Sequence, residues 1–360
     1  MDKFNRTVEN IKEQDDLELF REIVSKQGKK LVLFGAGDCG HVVYGILHHV
    51  NIPVHCFCDN VLGGQVDGQT GLAIVKPEYL KDRSDELTIL VCAVEEEVYS
   101  AICQQAVALG FDRAQIHIMR EYYSRPSVSY LENNIQKYRN AYRLLEDEFS
   151  RKVFLARMKK VYLMGDISEV VSPYTEEYFD ENVILTDEEV FIDCGGFDGD
   201  TAVKFIERCG GKYRDIIIFE PELCKKAAIE KNMSGYPYTL YQAGVWSEKT
   251  KLYFDAQETV GSHVSEIESD YMIDVMALDE TVYDKKPTFI KMDIEGSEQE
   301  ALRGCKRIIR DFRPKLAVCV YHRPDDLYEI PALIKDMNPK YRLYLRQYSN
   351  SRHETVLYAI

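Results

Sequence analysis

The chain lacks any Cys-x-x-Cys pair and any cysteine–histidine set at zinc-ligand spacing, although it contains ten cysteines. Cys56 and Cys58 stand too close together and lack partners, so a structural zinc site of the usual kind is excluded and the thiols are expected to be reduced and mostly buried. There is no basic excess either: 45 Lys and Arg face 60 Asp and Glu, a net charge of −15. That balance argues against a nucleic-acid partner, because phosphate binding draws its affinity from clustered cations. No apolar run is long enough to span a bilayer, and LVLFGAG and TILVCAV read instead as buried strands. The opening MDKFNRTVENIKEQDD is charged and has no apolar core, the pattern of neither a signal peptide nor a membrane anchor. A cytoplasmic protein without membrane contact is expected. There is no low-complexity stretch, and 360 residues exceed what one hydrophobic core usually supports.

What is present is a repeated alternation of strand and helix. KLVLFGAG, GHVVYGILHHV, VHCFCDN, LTILVCAV and VYSAICQQAVALG follow one another in the first third, which is the sign of a parallel α/β sheet. A second series, EVFIDCGG, DIIIFEPE, TLYQAGVW, TFIKMDIEG and KLAVCVYH, starts at Glu188, and YRLYLRQYS with ETVLYAI reads as a closing hairpin. Between them, Leu131, Ile135, Tyr138, Tyr142, Leu145, Phe149 and Val153 recur at three-to-four spacing and predict one long helix with an apolar stripe. The segment 172–187, SPYTEEYFDENVILTD, predicts a lid or entry strand. The expected architecture is α/β, with two Rossmann-like doubly wound domains joined by a helical connector. Its parts are residues 1–120, a nucleotide-binding-like domain, residues 121–187, connector and lid, and residues 188–360, a sheet ending in an antiparallel hairpin.

In the second series the strand VFID runs into CGGFDGDT and then a helix. Gly195, Gly196 and Gly199 supply a tight turn at a strand's carboxyl end, and the helix start at Asp200 and Thr201 offers free N–H groups. Asp193 at the strand end can accept from an ammonium. S-adenosylmethionine carries both an ammonium and a carboxylate, so an acid beside exposed N–H groups suits it better than a dinucleotide pyrophosphate. The next strand ends in Glu220, followed by Pro221, where a carboxylate can receive both ribose hydroxyls. Gly244, Val245 and Trp246 close a third strand and are candidates for a flat wall against adenine. Each feature alone also has a plain structural explanation as a turn, a capping acid or a core aromatic.

Together, DCGGFDGDT, IFEPE, GVWSE, LDE, IKMDIEGSEQEALRG and the Arg-Pro pair before the last central strand resemble the FkbM methyltransferase family over roughly residues 140–360. The resemblance implies S-adenosylmethionine as cofactor, a methyltransferase-type sheet whose last strand is antiparallel, and O-methyl transfer, commonly onto sugar hydroxyls or other hydroxylated natural products. Such chemistry asks for in-line positioning and a base for the acceptor hydroxyl. Asp293 and Glu295 sit at the end of the fourth strand and His322 at the end of the fifth, where open α/β sheets place their ligands. His322 or Asp293 is the expected base, with Glu295 orienting the acceptor and Asp293 also beside the cofactor. A divalent cation held by Asp293, Glu295 and His322 is compatible with this chemistry, but nothing in the sequence demands a metal. His263, Tyr174, Tyr178 and Tyr321 are expected to line an acceptor pocket.

In the first series, Gly35, Gly37 and Gly40 form G-x-G-x-x-G between strand and helix, and Asp59 closes the next strand 24 residues after Gly35, close to the dinucleotide spacing. The stretch also resembles the N-terminal domain of bacterial sugar acyltransferases, over roughly residues 28–118. That resemblance implies that Gly35, Gly37, Asp38, Asp59 and Asn60 hold a nucleotide sugar. A degenerate unit kept for packing or for a homodimer contact is the competing reading. Two other functional classes stand beside the methyltransferase: an NAD(P)-dependent oxidoreductase and a non-catalytic nucleotide-sugar sensor, both using the first domain. The former lacks a recognisable Tyr-x-x-x-Lys or catalytic cysteine arrangement.

Overall fold

The computed structural model describes residues 2–13, 17–119, 126, 128–163, 167–172, 176–255, 263–264, 272–349 and 353–360. The chain forms two compact units, one of residues 8–128 and 162–164, the other of residues 1–7, 129–161 and 165–360.

After helix α1 (Lys3–Glu13), the smaller unit contains α2 (Glu18–Ser25), β1 (Lys30–Phe34), α3 (Asp38–His49), β2 (Val54–Cys58), β3 (Gln65–Val66), β4 (Ala73–Val75), β5 (Leu87–Val91), α4 (Glu96–Ala108) and β6 (Ile116–Ile118). The sheet order is β3-β4-β2-β1-β5-β6, parallel except for the β3–β4 pair. Every residue of β5 and all but Lys30 of β1 are buried, as expected of parallel strands covered on both faces.

In the larger unit the expected single helix is two, α5 (Val128–Leu144) and α6 (Glu148–Leu163). The break has a physical cause. Leu145 bridges to Leu343, the Glu146 amide donates to the Leu343 carbonyl, and Asp147 caps the next helix by accepting from the Ser150 amide at 2.6 Å. There follow β7 (Val190–Cys194), α7 (Asp200–Arg208), β8 (Asp215–Phe219), α8 (Lys226–Asn232), β9 (Thr239–Tyr241), β10 (Gly244–Val245), β11 (Thr250–Asp255), β12 (His263–Val264), β13 (Met272–Met276), α9 (Leu278–Thr281), β14 (Phe289–Met292), α10 (Glu298–Arg303), α11 (Lys306–Phe312), β15 (Lys315–Cys319), α12 (Asp326–Met337), β16 (Leu343–Gln347) and β17 (Thr355–Ala359).

The main sheet runs β16-β17-β15-β14-β7-β8-β9, with β17 antiparallel to both of its neighbours. The hairpin read from the sequence is therefore present, its second strand inserted beside β15. Its core is packed by Phe191 of β7, stacked on Phe205 at 4.5 Å and 5.0 Å from Phe289 of β14. Chain order reverses between β7 and β14, so the crevice outside their carboxyl ends is the switch point where such sheets bind ligands.

TLYQAGVW, read as one strand, is divided. Thr239–Tyr241 pairs with β8, while Gly244–Val245 joins a separate four-stranded sheet ordered β10-β13-β11-β12. Among the described residues of the expected lid, 176–187 form no strand. They are held to the main sheet by Phe179 on Phe289 and by the fully buried Asp180, which accepts from Arg346 Nε at 2.9 Å. All ten cysteines are free, and seven are buried. Among the described residues no helix is long and apolar enough to cross a membrane.

Candidate functional site

At the switch point lies a cavity of about 330 Å³, in the size range of ligand sites. Gly195, Phe197, Asp200, Thr201 and Lys204 border it from the turn after β7 and the start of α7. Gly195 has φ +80°, and a Cβ there would lie 1.9 Å from the Asp293 carbonyl oxygen. Glycine is thus required where the turn crosses the end of β14, by the chain itself rather than by a ligand's approach. Gly196 and Gly199 do not border the cavity: they face Ile218 and the Ile229–Met233 side of α8.

Asp193, read as a partner for a ligand's ammonium, is also absent from the cavity wall. Its carboxylate has no exposed surface and lies 3.1 Å from Lys291 Nζ of β14, which also donates to the Gly195 carbonyl at 2.6 Å. Burial pushes the Asp193 carboxyl up against the pull of Lys291. Burial disfavours the charge on Lys291 as well, yet Asp193 and Asp293 hold its pKa above the ordinary lysine value. The pair clamps the glycine turn onto β14. The sequence reading missed Lys291, which borders the cavity.

Glu220 is where the spacing put it. Its carboxylate, 6% exposed, accepts from the Phe197 amide at 2.8 Å and the Glu222 amide at 2.9 Å, and it borders the cavity beside Pro221. Burial raises its pKa, partly offset by those two amides. The carboxylate is thereby held in one orientation with lone pairs to spare. The apolar wall consists of Val245, Ile273 and Val275 beside Gly244. Trp246 does not border the cavity; it packs with Leu252 against Ile273 and Val275. The contribution of β13 went unread, although MIDVM alternates buried and exposed residues.

The far side is acidic. Asp293 Oδ2 accepts from Tyr178 at 2.7 Å and Oδ1 from Tyr321 at 3.2 Å. Burial alone would raise the Asp293 carboxyl, but Lys291, His322 and Tyr178 hold it below the usual range. His322 Nε2 is 3.5 Å from Asp293 and 3.4 Å from Glu295, and Nδ1 is 2.9 Å from Glu298. Burial opposes its charge, yet those three carboxylates keep the imidazole pKa up at about 9. Glu177 borders the cavity with a buried, unpartnered Oε1, and burial, helped by the Asp293 charge, pushes it up to about 7. Glu177 and Glu298 escaped the sequence reading because no spacing rule joins them to this strand end. Tyr178, Glu295 and Asp293 border the cavity; Tyr321 reaches it through Asp293, and His322 through Asp293 and Glu295. Tyr174 and the side chain of His263 lie outside the described residues.

Three of the eight non-glycine residues with positive φ among the described residues, Tyr178 (+69°), Phe197 (+48°) and Glu295 (+52°), border this one cavity. Strain of that kind concentrates at functional sites.

In the smaller unit the glycine turn is used differently from the expectation. Gly35 has φ +119° and a Cβ there would lie 2.3 Å from the Cys92 carbonyl oxygen; one on Gly40 would lie 2.1 Å from the Gly35 carbonyl oxygen. Of the three motif glycines, Gly37 alone faces open space. Asp59, read as a ribose acceptor, takes the amides of Ala36, Val61 and Leu62, and Asn60 pairs with Gln105. Asp38 opens α3 and is exposed.

A seven-stranded sheet with one inserted antiparallel strand, and a cavity between a glycine turn and a strand-end acid, have the arrangement of a methyltransferase-type Rossmann fold. Residues 193–349 match the model of the methyltransferase FkbM domain. Among solved structures, the methyltransferase FkbM from Methylobacillus flagellatus KT is 22% identical, with 99% of this chain and 98% of that chain covered and a TM-score of 0.66. At that identity the likeness speaks to the fold. A precorrin-6y C5,15-methyltransferase from Geobacter metallireducens GS-15 is 12% identical over 49% of this chain and 81% of that one, with a TM-score of 0.31, too slight to carry an argument. No curated protein matches the chain.

Proposed function

We propose that the chain transfers a methyl group from S-adenosylmethionine to a hydroxyl oxygen of a sugar, nucleotide sugar or glycosylated small molecule. The observation that carries this reading is the cavity at the β7–β14 switch point, with Glu220 already oriented along its wall. Glu220 suits a ribose diol, and Val245, Ile273 and Val275 suit the faces of an adenine. Asp200 and Asp293 are the acids available to a ligand's ammonium in place of Asp193, and Thr201 with the Gly195 turn supplies polar groups for its carboxylate.

When bound, the cofactor supplies a methyl group already activated on a sulfonium. The chain has then to seat the acceptor and receive its proton. Glu177 is the group best placed to receive it, with a free carboxylate oxygen in the cavity wall and a pKa pushed up to about 7. Asp293, occupied by two tyrosines and held in its charged form, orients rather than abstracts. The carboxylates of Glu177, Asp293 and Glu295 and the Tyr178 hydroxyl match the hydrogen-bonding needs of a polyol.

Calorimetric titration with S-adenosylhomocysteine tests the reading, with NADH and UDP-sugars titrated in parallel and Glu220→Ala as the variant. Saturable binding of S-adenosylhomocysteine that the variant loses is expected, followed by a screen of sugar acceptors for methyl incorporation. Binding of NADH alone, unchanged in the variant, would overturn it.

A further inference from the structure

The acidic cluster behind the cavity has more negative charge than its neighbours neutralise. Asp293, Glu298 and His322 each offer one ligand atom, all within 4.8 Å of one another. Glu298 has no exposed surface; its Oε1 accepts the Ile294 amide at 2.9 Å, and its Oε2 has no partner. His322 lies 2.9 Å from Glu298, but neither ring nitrogen is aligned for a hydrogen bond. Apart from His322 itself, the cations nearby are committed elsewhere, Lys291 to Asp193 and the Gly195 carbonyl, Arg323 to Asp325. A fourth acid, the fully buried Asp326, is taken up by Gln299 and the Arg323 amide. A carboxylate that is wholly buried and half-satisfied is costly unless a cation meets it.

We propose that Asp293, Glu298 and His322 bind a divalent cation of the Mn²⁺ or Zn²⁺ kind. With one ligand atom from each residue, the three atoms lie within 4.8 Å of one another, so side-chain shifts of about an ångström or two bring them to the roughly 3 Å spacing of ligands held about 2.1 Å from one ion at near right angles. One imidazole with two carboxylates is a first-row divalent set, softer than the all-oxygen shell preferred by Mg²⁺. The loop also brings these groups together: Glu295 at φ +52° and Gly296 at φ +93° turn the chain so that Glu298 folds back onto the Ile294 amide. The set differs from the one considered from sequence, with buried Glu298 in the place of Glu295. Asp293 belongs both to this cluster and to the cavity wall, so the ion would lie at the acceptor end of the cavity. That use of the ion rests on the methyltransferase reading; the site itself does not.

The test uses full-length protein stripped with a chelator and titrated with Mn²⁺ alone, followed by calorimetry and by the electron-paramagnetic signal of free Mn²⁺. One Mn²⁺ per chain is expected, displaced by Zn²⁺, with pulsed spectra showing one histidine nitrogen coupled to the ion. Glu298→Gln and His322→Ala should each weaken binding roughly tenfold or more, whereas Glu300→Gln, on the same helix but outside the cluster, should not. S-adenosylhomocysteine is titrated alongside. If it binds and Mn²⁺ does not, or if no histidine coupling appears in the wild-type protein, the cation site is overturned while the methyltransferase reading stands. Mn²⁺ binding without S-adenosylhomocysteine binding would overturn the methyltransferase reading and leave the cation site standing.

Discussion

Replacing Glu220 by Gln isolates the strand-end acid with almost no change of shape. In the native protein both carboxylate oxygens are fixed by backbone amides, those of Phe197 and Glu222, and each retains acceptor capacity toward the cavity. A hydrogen bond to a charged group contributes about 1.5–3 kcal/mol. The glutamine amide removes one such acceptor outright, turns the other into a neutral one, and sets an NH₂ group against a backbone N–H. The summed loss toward a ribose diol is about 3 kcal/mol, close to a hundredfold in Kd. Calorimetry with S-adenosylhomocysteine measures it, and the 2′-deoxy analogue supplies a cycle: the wild-type protein should discriminate roughly tenfold between the two ligands and the variant hardly at all. Binding within threefold of wild type, or discrimination that survives in the variant, would refute the assignment. A lowered Tm with unchanged discrimination would show that Glu220 only anchors the Phe197 loop.

Gly195→Ala forces a Cβ onto the Asp293 carbonyl in a left-handed backbone, so it should lower Tm and abolish S-adenosylhomocysteine binding, while Gly37→Ala, facing open space, should leave Tm unchanged; a loss of UDP-sugar binding in Gly37→Ala would reveal a ligand at the smaller unit's turn. Arg346→Met leaves the fully buried Asp180 carboxylate without its cation, and chemical denaturation should show a loss of about 3–5 kcal/mol, partly restored by adding Asp180→Asn. The pH dependence of that loss has a definite sign. Burial raises the Asp147 carboxyl but the Arg346 and Ser150 bonds win, holding it below the ordinary 3.8. Its stabilisation is therefore complete above that value and fades as pH falls through the folded-state pKa, so the Asp147 part of the gap between wild type and Arg346→Met should close only in acid; a gap that closed near neutrality would contradict this.

The main sheet was legible because its strands are continuous apolar runs with acids and glycines at their carboxyl ends, and both signals are local. Glu220, Gly195, Thr201, Val245 and Asp293 border the cavity for that reason. What escaped was set by contacts between distant segments. Asp193 sits at a strand end as the ligand reading requires, but only the neighbouring strand shows that Lys291 claims it. Trp246 follows two residues that do border the cavity, yet the sheet formed with β11 and β13 turns it to pack with Leu252. The stripe through residues 130–162 had the right period, but the cap at Asp147 and the bridge at Leu145 interrupt it. The G-x-G-x-x-G of the smaller unit has the required spacing, and Asp59 nevertheless spends its carboxylate on three amides of its own chain.

The distribution of strain points to the same place as the distribution of charge. A left-handed conformation at a non-glycine residue costs of order 1 kcal/mol and persists only where the surroundings impose it. Tyr178, Phe197 and Glu295 come from three separate segments, and glycine would relieve each backbone at once. Each instead carries a side chain to the cavity wall: Tyr178 donates to Asp293, Phe197 stands beneath the Lys225 ammonium, and Glu295 approaches His322. Packing does not account for two of them, since Phe197 is 46% exposed and the Glu295 side chain 33%. An exposed aromatic held in a disfavoured backbone contributes little to the fold, and its place is in keeping with the proposed ligand of the cavity. The turns after β7 and β14 thus fit the proposed ligand site, on a sheet whose buried Asp193–Lys291 pair keeps the two strand ends together.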